Sequence, residues 1–362
     1  MNQQKNTTSY SRISDRFHLI ERYAATSISS LWRGTRADDE KKEIITVKCS
    51  KLFLDEHTIP QAVFRELIFL SEINSPHIIK PIVGEISCDL DESNPMIAYC
   101  FENHLADVRR IVRYFSMKNA LVPPVATKSI IFQLLLALDY LHTRNIAHCN
   151  VISANVVIMP QSERIPGIVK LVDLGYSRVV DDKDQPKSLN VVHPWYRAPE
   201  LMLGDPNYDQ AVDMWACGCI LGELLTGTIL FGSNNSKKEN NHDFNGLSIA
   251  QLLRIVGILG PISESDCKNP QYCTNLQTLI QRQPPTATNT LSKLTADSPP
   301  EAAELLSRML VYNPTKRITA REALKHAYFS KGPVCVNNIA ALFSKEEWKG
   351  IMQPPQKPPS QT

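Results

Sequence analysis

Hydrophobic positions divide the chain into two styles of patterning. From Phe17 to Phe101 they come in short runs, FHLIERYAA, SSLWRGTR, EIITVKC, IIKPIVGEI and MIAYCF, separated by charged breaks such as RADDEKKE. Runs of this length bounded by polar clusters predict strands of a meandering antiparallel sheet. One stretch departs from that pattern. In IPQAVFRELIFLSEI, residues Ile59, Val63, Leu67, Leu70 and Ile73 recur every three or four positions, the spacing of one helix face. Pro60 stands where a first-turn proline is favoured.

After Glu102 the period changes. LADVRRIVRYF, TKSIIFQLLLALDYLHTR, YDQAVDMWACGCILGELLTG and EAAELLSRML carry broad apolar faces and predict helices, with two strand-like runs, NVVIM and IVKLVDL, between them. GSNNSKKENNHDFN over 232–245 reads as a polar loop. The chain therefore predicts an α+β, bilobal fold: a polar tail over 1–16, a small β-rich lobe over 17–102 and a larger helical lobe over 103–331, with a cleft between the lobes. A proline-rich tail, extended and solvated, is expected over 332–362.

Composition narrows this little. Apolar residues make up 43% and charged residues 21% of 362, which is globular rather than disordered. A net charge of +2 gives no basic field, so direct nucleic-acid binding is not expected. The polar N-terminus lacks the apolar core of a signal peptide, and no run of about 20 apolar residues predicts a membrane span. Nine dispersed cysteines without zinc-ligand spacing read as reduced thiols of a cytosolic or nuclear protein.

The candidate chemistry lies in a series of short motifs. Lys48 ends ITVK and Glu66 lies on the helix that follows. HCNVISAN (148–155), DLG (173–175), WYRAPE (195–200), Asp213 in VDMWACGCI and Arg317 in NPTKRIT come after them. Each alone arises by chance; their fixed order is specific. The chain resembles the eukaryotic protein kinases over about residues 17–330. HTIPQAVFRE and PWYRAPE resemble the cyclin-dependent branch. SANVVIM and the connection PQSERIPGIVKLVDLGYSR are similar to the Mediator-associated members that partner cyclin C.

The resemblance implies roles residue by residue. Lys48 would hold the α- and β-phosphates of ATP, and Glu66 would pair with it. Asp173 and Asn155 would hold Mg2+. Tyr99–Phe101 would form the adenine-contacting hinge, with Ala98 as gatekeeper and Leu31 over the base. Glu200 and Arg317 would form a buried ion pair, and Asp213 would hold the catalytic-loop backbone. Ile59, Pro60 and Arg65 would lie at the cyclin interface. Without the resemblance, Lys48 and Glu66 read as a solvated lysine and a helix-face glutamate.

The departures from the family pattern fall where the chemistry is. His148-Cys149-Asn150 stands in place of His-Arg-Asp, so an amide replaces the general-base carboxylate and offers donors where an acceptor is wanted. Ile152 replaces a lysine that offsets charge on the transferring phosphoryl. The three loop glycines fall at Ala24, Thr26 and Ser29, whose Cβ atoms keep the backbone from close approach to phosphates. Ser188 occupies the phospho-residue position but lacks the arginine that Cys149 replaces. His193 stands for a threonine before Trp195, and reads either as a packed loop histidine or as a substitute base. Arg197 matches the family.

These features imply a pseudokinase subunit of a cyclin-containing, Mediator kinase-module-like complex in the nucleus, with ATP and Mg2+ binding weakened. Two alternatives stay open. Lys48, Glu66, Asn155, Asp173 and Arg197 also suit an active or slow proline-directed Ser/Thr kinase. A nucleotide-sensing switch that binds ATP without transfer is the other.

Overall fold

The computed structural model describes residues 12–26, 28–52, 60–89, 95–162, 167–180, 188–189, 191–232 and 244–353, with backbone alone for 83–85 and 244–247. The chain forms two compact units. The first comprises residues up to Asn74 and Ile78–His104; the second comprises Ser75–His77 and Leu105 onward.

In the first unit a helical turn, α1 (Ile13–Arg16), leads into β1 (Phe17–Ala25), β2 (Ser29–Arg36), β3 (Ile45–Lys51), helix α2 (Gln61–Glu72), β4 (Pro81–Asp89) and β5 (Met96–Glu102). The strands make one antiparallel sheet in the order β1-β2-β3-β5-β4. Alternation decides what each face does. Ile45, Val47, Cys49, Ala98 and Cys100 point to one side and bury themselves with Ile13 and Phe17. Their neighbours Lys48 and Tyr99, opposite each other in register, belong to the other face. Ile13 is buried and its N–H donates to Asp89 Oδ1 at 2.9 Å, so the last residues of the expected N-terminal tail belong to this unit.

Helix α2 buries Val63, Glu66, Phe69 and Leu70, and Ile73 follows at its C-cap. The expected stripe is shifted slightly: Leu67 is half-buried, and Phe69 takes its place in the core. Phe64 and Ile68, one turn apart, stay exposed.

The second unit holds β6 (Ala106–Asp107), α3 (Val108–Met117), α4 (Pro124–His142), β7 (Ile146–Ala147), β8 (Val156–Ile158), β9 (Val169–Leu171) and β10 (Arg178–Val179). Then come α5 (Pro199–Leu203), α6 (Ala211–Thr226), α7 (Phe244–Leu259), α8 (Leu276–Arg282), α9 (Leu291–Leu294), α10 (Pro300–Met309), α11 (Ala320–Ala323), α12 (Ala327–Ser330) and α13 (Lys345–Met352). Helix α6 is apolar nearly all round, the mark of a helix surrounded by protein. Trp215, Cys217, Ile220 and Leu224 are all buried there, and Trp215 stacks on Phe231. Helix α4 is long and apolar enough to cross a membrane by length and composition. Ile130, Leu134, Leu138 and Leu141 bury it in this unit's core instead. Helix α7 follows the expected polar loop, whose residues 233–243 lie outside the described residues.

The expected solvated tail is corrected from 332 to 353. Gln133 Nε2 donates to the carbonyls of Val336 (3.1 Å) and Asn337 (3.0 Å), and the Val336 N–H donates to Ser129 Oγ at 2.9 Å. Ile339, Phe343, Trp348 and Ile351 are buried, and α13 packs on α3. Gly350 faces the Tyr114 ring so closely that a Cβ would collide with it. The expected tail residues 354–362 lie outside the described residues, as do 1–11.

Candidate active site

In the first unit, Lys48 Nζ donates to Glu66 Oε2 at 2.6 Å. Strand β3 fixes the lysine and the buried face of α2 fixes the carboxylate. Both are nearly removed from water, so each depends on the other: truncating one partner of a buried pair leaves an uncompensated charge. The Tyr99 hydroxyl donates to the same Glu66 oxygen at 2.6 Å. Burial excludes the bland reading in which Lys48 and Glu66 are solvated.

Tyr99 is therefore corrected as a hinge residue. It lies inside β5, fully buried, with its hydroxyl spent on Glu66. Ala98 cannot be the gatekeeper beside Lys48, because it points to the opposite face with Val47 and Cys49. Phe101, two residues beyond Tyr99, shares the Lys48 face near the strand's end, and the chain leaves this unit at His104. Leu31 sits opposite Lys48 in register on β2 and so lies on that face too. Between β1 and β2 the positions expected for glycines close on each other by side chains. Thr26 and Ser29 hydroxyls lie 3.0 Å apart, and the Ser29 N–H donates to Thr26 Oγ1 at 3.0 Å.

In the second unit, Asp213 on α6 receives the backbone N–H groups of His148 (2.7 Å) and Cys149 (2.9 Å) and lies 3.0 Å from His142 Nε2. This carboxylate bends the loop after β7: Cys149 takes a left-handed φ of 58°. Asp173 is left-handed as well, at φ 68° and ψ 73°, a conformation Asp tolerates better than most residues. The side chain of Asn150 turns toward it, and Nδ2 donates to Asp173 Oδ2 at 2.6 Å. Asn155 Nδ2 donates to the Asn150 carbonyl at 2.9 Å. Ile152 is half-buried beside them in sequence. Burial holds the His148 imidazole below its ordinary pKa, against the pull of Asp213 and Asp173.

The segment leading to α5 is held by two arginines. Arg197 Nε donates to the carbonyls of Val191 (3.0 Å) and Val192 (3.2 Å), and Nη2 to Val192 at 2.9 Å. Val192 has a φ of 62°, which costs a β-branched residue on the order of 1–3 kcal/mol, and the buried guanidinium on its carbonyl holds that strained shape. Burial pulls the Arg197 guanidinium down to about 10. Arg317 grips Glu200 with two parallel bonds of 2.8 and 3.0 Å. His193 is exposed, accepts the Trp195 N–H and packs edge-on against the Trp195 ring, which makes it a cap rather than a substitute base. Ser188 is exposed, and its carbonyl accepts from the Tyr208 hydroxyl.

The residues present fit a nucleotide and metal only in part. Lys48, held by Glu66, suits a phosphate. Asn155, whose amide nitrogen is turned to backbone, keeps its oxygen as a donor for a cation. One Asp173 oxygen already receives an amide proton, so a cation there must share that oxygen or displace Asn150. Among the described residues no group of three or more His, Cys, Asp or Glu side chains could hold a metal ion.

The protein kinase domain family matches residues 33–329. Cyclin-dependent kinase E-1 of Arabidopsis thaliana is 32% identical over 88% of this chain and 67% of its own length. A cyclin-dependent kinase 8 of Dictyostelium discoideum is 30% identical over 89% of this chain and 82% of its own. The serine/threonine-protein kinase ssn3 of Aspergillus niger is 30% identical over 96% of this chain and 85% of its own. The chain belongs to the protein kinase family. Its relatives include cyclin-dependent kinases, and the family uses ATP and Mg2+.

Of the residues singled out in the sequence, Lys48 with Glu66, Asn150 with Asp173 and Asn155, and Glu200 with Arg317 are brought together. Pro60 is buried at the start of α2 and Arg65 is half-buried on it, while Ile59 lies outside the described residues. The sequence points to Tyr99 as a hinge residue and gives no sign of its bond to Glu66, because the β3–β5 register that sets it opposite Lys48 is not legible within β5 alone.

Proposed function

We propose that this chain is a cyclin-dependent-kinase-like pseudokinase that works by binding. It would be a subunit of a cyclin-containing, transcription-regulating complex of the Mediator kinase-module kind, in the nucleus, with a cyclin C-like partner. The observation that carries this is the Asn150 amide donating to Asp173. The family's aspartate at that place accepts the substrate hydroxyl's proton; a donor committed to a neighbouring carboxylate does not. Ile152 adds no charge to offset the developing one.

Nucleotide binding is retained but weak in this reading. Lys48 would take the phosphates, Leu31 and Phe101 would flank the base, and Asp173 with Asn155 would hold magnesium. When bound, ATP would place its phosphates at Lys48, and magnesium held by Asp173 and Asn155 would offset their charge. Weakness follows from the Cβ atoms at Ala24, Thr26 and Ser29 and from the shared Asp173 oxygen.

Cyclin binding is supported by α2, where Phe64 is 56% and Ile68 41% exposed beside Pro60 and Arg65. Two large apolar side chains one turn apart make an anchor pair for a groove on a partner. Branch membership is supported by SANVVIM and the connection after it, and by cyclin-dependent relatives. The test is co-purification with a cyclin C-like partner. Phe64→Asp should lose the partner while keeping its melting temperature, and Asp173→Ala should keep the partner. Full retention by Phe64→Asp, or loss by Asp173→Ala, would contradict the reading. A second reading, a slow active kinase, is favoured by the intact Lys48–Glu66 pair and is separated by turnover.

A further inference from the structure

The segment between α7 and α8 carries two short 3-10 turns, Glu264–Asp266 and Pro270–Tyr272, and each ends in a cysteine. Cys267 and Cys273 line one small cavity with Glu200, Asp205 and Tyr312. Their thiols lie within hydrogen-bonding reach of each other. Each is also near the carbonyl four residues before it: Cys273 Sγ is 3.5 Å from Asn269 O and Cys267 Sγ is 4.0 Å from Ser263 O. Neither sulfur belongs to the candidate active site described above.

Cys273 is itself buried, and its hydrogen bond to Cys267, with burial, raises its thiol; among Cys49, Cys88, Cys217, Cys219 and Cys335 none has a lowered thiol. Cys49, Cys100, Cys149, Cys217 and Cys219 are buried, and burial raises the Cys49, Cys217 and Cys219 thiols. Cys88 and Cys335 are partly accessible but raised as well. Cys267 is partly accessible and is pulled down by the hydrogen bond from Cys273, against burial and the nearby carboxylates of Asp266, Asp205 and Glu200. A partly accessible thiol beside a buried second one, both lining one cavity, is the arrangement of an attacking and a resolving cysteine.

We propose that Cys267 and Cys273 form a redox site that a peroxide converts to an intramolecular disulfide. The Cys267 thiolate attacks one peroxide oxygen, the O–O bond breaks and, for hydrogen peroxide, the other oxygen leaves as water after taking a proton. The resulting sulfenic acid is attacked by the Cys273 sulfur; the S–O bond breaks and a second water leaves with the Cys273 proton. Two thiols and one peroxide become one disulfide and two waters, the sulfurs losing the two electrons the peroxide gains.

The bond would rigidify a loop that already grips the end of α5. Asn275 N–H and Nδ2 donate to the carbonyls of Leu203 and Met202. Asn269 Nδ2 donates to Asp205 at 2.9 Å, and Lys268 pairs with Asp209 at 2.9 Å. The site therefore acts on the anchor of α5, and it does not depend on whether the chain transfers phosphate.

Treat the full chain with hydrogen peroxide, then denature it, label free thiols with an alkylating reagent and map the peptides. The expected result is loss of two labels and a crosslink joining Cys267 to Cys273, both restored by a thiol reductant. Cys273→Ser should trap Cys267 as a sulfenic acid reactive with a dione probe, ahead of the other cysteines. Parent chain that keeps all its labels, or crosslinks elsewhere, overturns the proposal. The parent map stands whether or not the variant folds.

Discussion

Two regions of the second unit, both tied to α6 or its neighbours, differ in the charge they carry. The struts are built from buried charged groups. Arg317 grips Glu200 bidentately, and Asp213 holds two loop N–H groups. The loop they hold presents no charge at two of its positions, where Asn150 offers an amide and Ile152 an aliphatic chain. The struts are buried, and a buried charge without its partner is expensive. Positions 150 and 152 are only partly buried, so an amide and an aliphatic chain fit them at little cost in stability. The fold thus constrains the residues that hold the loop far more than the residues the loop presents.

The largest effect that would break this contrast is on stability. Glu200→Ala should cost about 3–5 kcal/mol, because it strands Arg317 in the interior. Asn150→Ala, which removes one hydrogen bond to a charged group, should cost no more than about 1.5–3 kcal/mol. Denaturant unfolding of both variants compares them directly. Equal losses would mean that the loop is as structural as its struts.

A second comparison sets the parent against a variant without the Lys48 ammonium. Saturating ATP should stabilise the parent by up to about 2.7 kcal/mol at 100 times its dissociation constant. Lys48→Met should abolish that thermal shift. A mutant stabilised as well as the parent would remove Lys48 from the phosphate site.

Sequence reached the struts and the loop because each of their residues sits in a short motif, even though Glu200 and Arg317 are 117 positions apart. It did not reach the β3–β5 register. MIAYCFE is apolar on both faces, so alternation within it does not say which side meets Lys48; the pairing of Lys48 with Tyr99 does. The strap over 332–353 was hidden for a different reason. The prolines of the adjoining QPPQKPPSQT make the whole end read as extended chain, while the strap's burial comes from partners such as Gln133 and Ser129 about two hundred residues away. The exposure of Phe64 and Ile68 was also invisible, because an apolar residue on a helix gives no sign of which face lacks a partner.

Tyr99→Phe sharpens the reading of the first unit. Removing the hydroxyl takes one charge-assisted bond from Glu66 while Lys48 remains, and should cost about 1.5–3 kcal/mol in unfolding measurements. A neutral result would mean that the tyrosine merely fills space.

The smallest effect is a pH dependence. Burial lowers the folded pKa of His148, so the unfolded chain takes up the proton first. Its contribution is favourable above the ordinary value of about 6.5. It is lost as pH falls below that, by at most about 1.4 kcal/mol per pH unit. His148→Gln should flatten this part of the stability profile. An unchanged slope would show that the imidazole does not titrate there.

The most direct measurement is phosphotransfer by the purified chain with a cyclin C-like partner on Ser-Pro peptides, beside Asp173→Ala and the double variant Asn150→Asp, Ile152→Lys. The parent should match Asp173→Ala at background, and the double variant should exceed either single reversion, because groups acting as a unit are not additive. Parent turnover near about 1 per second, inside the kinase range of about 1–100 per second, would contradict the account.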